Sequence, residues 1–230
     1  MTLQEAALST ADTPTPGTDR QAVVDLLGVL AYGELTAFDR LAEDARLAPT
    51  LTGRAALAGM AAAEIGHYRR LRDRLTELGA DAEAAMAPFV PVFDTFHART
   101  KPQTWLEGLV KAYVGDGIAA DFYREVAQLL DPPTRDLVLD VLADGGHADF
   151  AVREVRAAVA ADPAVSGRLS LWARRLVGEA LSQAQRVAAE RDALTMLIVG
   201  GTGDLGALAA LLKRITSAHT ARMQTIGLSG

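Results

Sequence analysis

The chain has 230 residues, 50% hydrophobic, 23% charged and 5% aromatic, the balance of a globular protein able to bury a sizeable core. It contains no cysteine, which excludes disulfides, thiolate catalysis and cysteine-ligated metal sites and leaves histidine and carboxylates as the strong ligands. Twenty-nine acids against 23 bases give a net charge of −6, the wrong sign for gripping nucleic acid over the whole surface. No apolar run reaches the roughly 18 residues of a membrane span, and Met1 to Arg20 has neither a basic start nor an apolar stretch. The expectation is a cytoplasmic protein without a secretion signal or membrane contact.

Residues 1–19, with Ser9, Thr10, Pro14, Pro16 and Gly17 in a polar context, read as a disordered tail, and 20–228 as one helical domain. From Gln21 onward apolar residues recur at steps of three and four, and alternating strand-like runs are nearly absent, so the fold class is all-α. The first helix starts at a cap near Thr18 or Asp19 and runs to about Leu47, with Val24, Leu27, Leu30, Ala31, Phe38 and Leu41 on its buried stripe. The second begins after Thr52 and ends at Gly79; the short turn between the two makes an antiparallel hairpin. A long, apolar, proline-containing connection from Gly79 to Pro102 packs along the bundle. The third helix, about Thr104 to Leu130, stops at Asp131-Pro132-Pro133, and the fourth runs from about Thr134 to Ala161. Two further helices, roughly Leu169 to Leu197 and Asp204 to Ile226, pack outside the bundle or mediate a homodimer. The prediction is therefore a four-helix bundle with one long crossover and two additional C-terminal helices.

Each bundle helix carries an acid inside its apolar stripe, where an ionised carboxylate is costly without a cation. These are Glu34, Glu64, Asp116 and Asp144, and two of them have a histidine three residues later, His67 and His147. Residues three apart share a helix face, so carboxylate and imidazole at that spacing can bind one ion. Glu34 and Glu64 are 30 residues apart and Asp116 and Asp144 are 28 apart, so each hairpin brings its acids to about the same height. One acid on each of two helices plus acid-x-x-His on each of the others is the ligand pattern of di-iron and di-manganese bundles. The simpler reading pairs Asp116 and Asp144 with arginines such as Arg124 or Arg153; Asp121, Glu125 and Asp140 are rival carboxylates.

On this connectivity, the paired motifs and the stretch Lys111-Ala112-Tyr113-Val114-Gly115-Asp116-Gly117, the chain from about Arg20 to Ala160 resembles the ferritin-like superfamily, and within it the bacterial tRNA isopentenyl-adenosine hydroxylase family and its actinobacterial relatives. The resemblance implies two iron ions, with manganese as the alternative, held by Glu34, Glu64, His67, Asp116, Asp144 and His147. It also implies dioxygen as co-substrate, tRNA or a small molecule as substrate, and an electron donor protein. Tyr113, near the ligand stripe with Tyr68, is the candidate catalytic residue for relaying protons; both serve equally well as core aromatics. The third and fourth helices carry Asp where that family has Glu. Gly115, Gly117, Gly145 and Gly146 beside them are expected to let the backbones approach the ions. A peroxide or iron handler and a metal-free scaffold for a protein partner are the competing functions.

Three other signals carry less. Val199 to Gly206 imitates a dinucleotide loop but lacks surrounding strands, so a helix-to-helix turn is expected there, with no nicotinamide or flavin bound. Arg69, Arg70, Arg72 and Arg74 end the second helix and suit its negative dipole, or a phosphate patch. His97 and His219 have no ligand-like sequence neighbours and read as structural or surface residues.

Overall fold

The computed structural model describes residues 19–143, 147–202 and 205–229, and among them every regular element is helical. The expected tail lies outside the described residues except for Asp19, which caps α1 (Arg20–Asp44) by accepting a 2.9 Å hydrogen bond from the Gln21 amide. Thr50 caps α2 (Leu51–Glu77) in the same way, through the Gly53 amide at 3.0 Å. Gly79 ends α2 at φ +68°, and the Ala80 amide reaches back to the Leu75 carbonyl at 2.9 Å, a glycine-stopped C-terminus. The first hairpin thus forms as the sequence indicates.

The crossover is more regular than its prolines suggest. It holds α3 (Ala82–Met86), a 3-10 turn over Ala87–Phe89, and α4 (Val90–Arg99). Pro88 and Pro91 stand in the opening turns of the last two, where a missing amide hydrogen costs nothing. Thr104 caps α5 (Trp105–Ala127) through the Glu107 amide at 3.2 Å. Pro132 and Pro133 likewise open the next helix, α6 (Pro132–Ala143), instead of merely preceding it. The expected fourth helix, 134–161, is represented by α6 and α7 (His147–Ala161); Asp144, Gly145 and Gly146 lie outside the described residues.

The two expected C-terminal helices are three: α8 (Ala164–Glu190), α9 (Asp192–Thr202) and α10 (Leu205–Ile226). The break comes at Arg191, whose backbone leaves the helical region (φ −129°, ψ 78°). Its guanidinium pairs with buried Asp25 on α1 and lies 5.7 Å from the Phe89 ring centre. Gly200 to Thr202 continue α9 and Leu205 opens α10, while Gly203 and Asp204 of the glycine-rich segment lie outside the described residues.

One expectation about membranes needs correction. The segment Arg20–Leu47 is long and apolar enough to cross a bilayer by length and composition, with a mean hydropathy of 1.3 over its best window. That window is 56% buried inside the protein, where α1 packs along α2, so its apolar character serves the core.

The core divides into two apolar clusters stacked along the bundle. One joins Leu27 and Leu30 of α1, Leu71 and Leu75 of α2, Val126 of α5, and Val138 and Val141 of α6. The other joins Leu41 of α1, Leu57 and Met60 of α2, Leu109 and Val114 of α5, Val155 of α7, Leu176 of α8 and Met223 of α10. On the first three rods the predicted ligands Glu34, Glu64, His67 and Asp116 fall in the interval between the two clusters: after Ala31 and before Leu41, after Ala61 and before Leu71, after Val114 and before Val126; on the fourth, His147 opens α7 between Val141 and Ala151. A polar layer therefore crosses an otherwise apolar bundle at mid-height.

Candidate metal centre

Glu34, Glu64 and His67 meet in this layer, each offering one ligand atom within 4.8 Å of the others. The helical i, i+3 relation aims Glu64 and His67 the same way, and the His67 Nδ1 lies 3.1 Å from a Glu64 oxygen. Across the hairpin, the same nitrogen lies 3.4 Å from a Glu34 oxygen. Glu64 and His67 are buried and Glu34 nearly so. Burial raises the Glu34 carboxyl above the usual carboxylate range, and the nearby Glu64 charge adds to this. Contacts with Glu34 and then Glu64 raise the His67 imidazole. Two carboxylates forced together out of water must hold protons or take up a cation.

Asp116 of α5 belongs to the same layer. Burial among protein atoms pushes its carboxyl up to about 8, with the Glu64 charge as the further cause. Yet Asp116 keeps substantial accessible surface, unlike Glu64 and His67. Among the described residues it makes no ion pair; Arg124, its suggested partner, reaches Asp121 at 3.4 Å and the Leu142 carbonyl at 3.0 Å. Its carboxylate does not join the tight cluster of Glu34, Glu64 and His67. Asp144 lies outside the described residues, and His147 opens α7 at the same interval of the fourth rod.

The rival acids are accounted for by arginines. Asp121 pairs with Arg222 at 2.6 Å, Glu125 with Arg214 at 2.7 Å and Asp140 with Arg70 at 3.2 Å. The arginine cluster on α2 is similarly engaged, Arg72 with Asp73 and Arg74 with Glu77 and Asp131. Three of its four members therefore have acidic partners already, which argues against a free phosphate patch.

Tyr113 turns its hydroxyl toward α10, donating to the Arg222 carbonyl at 3.3 Å. The tyrosine electrostatically coupled to the cluster is Tyr123, raised above its ordinary value by burial and then by the Glu34 charge. The sequence offered a signal for it, since Tyr123 shares the face of Asp116 one turn beyond Ala120. The glycines beside Asp116 also differ from expectation. A Cβ at Gly115 would meet nothing within 4 Å, whereas one at Gly117 would lie 2.2 Å from the Arg222 Nε. Gly117 thus makes room for an arginine from α10 rather than for a closer approach to an ion.

The donor set fits a transition metal. Carboxylate oxygens and an imidazole nitrogen suit iron or manganese, the Glu64 contact orients the imidazole ring, and a cation would compensate acids that burial otherwise keeps protonated.

Comparison with known proteins agrees with this architecture. A family model described as "Ferritin-like domain, actinomycetes" matches residues 18–201. Among solved structures, "Protein 19 with aldehyde deformylating oxidase activity from Synechococcus" aligns with a TM-score of 0.70 and 21% identity, covering 91% of this chain and 91% of that one, which demonstrates a shared fold. No curated protein sequence matches. The chain belongs to the actinomycete family of ferritin-like domains.

Proposed function

We propose that this protein is a metal-dependent hydroxylase that uses dioxygen, with its centre in the polar layer of the bundle. The observation that carries the reading is the convergence of Glu34, Glu64 and His67 between two apolar clusters, in a family of ferritin-like domains. Glu34, Glu64 and His67 would hold the metal from the first hairpin, and Asp116, Asp144 and His147 would serve it from the second. Two iron ions bound there supply the oxygen chemistry that these side chains lack. The chain's own residues set the conditions. Leu30, Leu41, Leu71 and Val114 border the layer and restrict water, and the Glu64 contact fixes the His67 ring. Tyr123, which feels the Glu34 charge, keeps its phenolic proton and would be the group that holds or passes a proton near that carboxylate. Hydroxylation of a C–H bond by dioxygen consumes two electrons and two protons, so an electron donor protein completes the system.

For the substrate, the resemblance to tRNA isopentenyl-adenosine hydroxylases supports a prenylated adenosine in tRNA. A small aldehyde or related apolar molecule is the second reading. It is favoured by the engaged arginines of α2 and by the fold shared with a protein described as having aldehyde deformylating oxidase activity. Oxygen consumption by ferrous-reconstituted protein, supplied with a reductant, tests the proposal with isopentenylated tRNA, the free nucleoside and a fatty aldehyde as separate substrates. Substrate-dependent oxygen uptake lost in His67→Ala is expected; uptake unaffected by that substitution would refute it.

A further inference from the structure

A second polar cluster lies away from the mid-bundle layer, where α1, α4 and α5 meet. Lys111 of α5 is only 7% exposed, and its Nζ donates to the Thr100 carbonyl at 2.8 Å, leaving two further N–H groups. The same Nζ stands 5.4 Å from the Phe96 ring centre, and the His97 ring lies 5.3 Å from Phe96. Both ring nitrogens of His97 are buried without a hydrogen-bond partner, and so is the Nε of Arg40. Buried polar atoms are almost always paired, so three orphans near one under-used ammonium call for a partner that the protein itself does not supply.

The charges decide what kind. Arg40, Arg46, Lys101 and Lys111 carry positive charge around Glu43 and Asp44. Glu43 is bound by Arg40 at 2.9 Å and Lys101 at 3.3 Å. Asp44 makes no ion pair with Lys111 although each feels the other's charge. His97 is held neutral by burial and by the charges of Lys111 and Arg40, which hold it well below the ordinary histidine range. The charges felt at the His97 ring, those of Lys111 and Arg40, are both positive, a local excess, and the ring nitrogens and the Arg40 Nε have no protein partner.

We propose that Arg40, His97 and Lys111 form a binding site for a small oxyanion. Its oxygens would accept from the Lys111 ammonium, the Arg40 Nε–H and the His97 ring, and its charge would balance the local excess. Planar carboxylate-like anions and tetrahedral phosphate share this chemistry, and the titration distinguishes them. The site is distinct from the metal cluster, since it shares no residue with Glu34, Glu64 and His67.

The test is NMR of the histidine ring carbons in the full-length protein at constant ionic strength. Formate, bicarbonate and inorganic phosphate are each titrated against matched chloride, and the His97 signal is assigned by its loss in His97→Gln. An anion beside the ring favours imidazolium, so the His97 carbons should move saturably toward their protonated positions while those of His219 do not follow. Lys111→Met should weaken the response by roughly 10- to 100-fold, the loss of one hydrogen bond to a charged group. Arg40→Gln should weaken it too, and provides the second variant should Lys111→Met not fold. Absence of a saturable His97 shift with all three anions would overturn the proposal and leave the site to ordered water. A shift equally strong in folded Lys111→Met and Arg40→Gln would overturn it as well.

Discussion

Gly28, buried on the inner face of α1, is where the crossover touches the first hairpin most closely. A Cβ added there would stand 2.3 Å from the Ala85 carbonyl oxygen and 2.7 Å from its carbon, both backbone atoms of α3. A carbon and an oxygen settle more than 3 Å apart, so Gly28→Ala requires α3 to retreat by about 1 Å from a close-packed contact. Better helix propensity returns up to about 1 kcal/mol, while overpacking of this kind costs about 1–3 kcal/mol or more because the obstruction is backbone and no rotamer relieves it. The expected balance is a net loss of about 1–2 kcal/mol, a fall in Tm of roughly 2–8 °C for a domain of this size. Gly59 is the internal control: it lies in exposed α2, and a Cβ there would meet nothing within 4 Å. Gly59→Ala should therefore gain stability by up to about 1 kcal/mol, a rise of roughly 2–4 °C. Calorimetric melts of both variants decide the matter. If Gly28→Ala melts at or above Gly59→Ala, the close approach of α1 and α3 is wrong.

Gly115→Ala should raise Tm by helix propensity alone, whereas Gly117→Ala should lower it by displacing Arg222 from its pairing with Asp121; equal shifts in the two would refute the assigned role of Gly117. The Asp44 and Lys111 pair predicts a pH signature. Burial raises the Asp44 carboxyl from 3.8 to about 6, so the folded state keeps a proton the unfolded chain has lost, and stability falls as pH rises from about 4 to 6. Burial lowers the Lys111 ammonium from 10.5 to about 8, so the unfolded chain holds the extra proton and stability recovers between about pH 8 and 10.5. Each effect amounts to about 3 kcal/mol. Urea unfolding across pH should show the first slope removed by Asp44→Asn and the second by Lys111→Met; slopes that survive both substitutions would contradict the burial of the pair. Tyr123→Phe should leave metal content unchanged but alter the pH dependence of substrate-driven oxygen uptake, and an unaltered profile would remove Tyr123 from the proton path.

What the sequence made legible follows from which signals are local. Glu64 and His67 were readable because an i, i+3 pair within an apolar stripe has one meaning for facing, and Glu34 because the short turn at Pro49 fixes the hairpin height. The polar layer was readable from the interruptions in the stripes. The helices inside the crossover were not, since Pro88 and Pro91 look like breakers until their positions in an opening turn are known. The break between α8 and α9 was hidden for a different reason: Arg191 leaves the helix in the setting of Asp25 and Phe89, partners more than a hundred residues away. Gly117 misled in the same manner, because the side chain that needs its space comes from α10. His97 looked inert for want of sequence neighbours, while its orphaned ring faces groups from two other helices.

In the proposed function the mid-bundle layer holds metal through Glu34, Glu64 and His67. Elemental analysis after anaerobic reconstitution with ferrous iron and removal of unbound ions tests it most directly, with wild type, Glu34→Ala and His67→Ala measured side by side and each checked for helical content. About two iron ions per wild-type chain are expected, the stoichiometry of carboxylate-bridged bundles, with a clear fall in both variants. Folded variants that retain the wild-type iron content would contradict it.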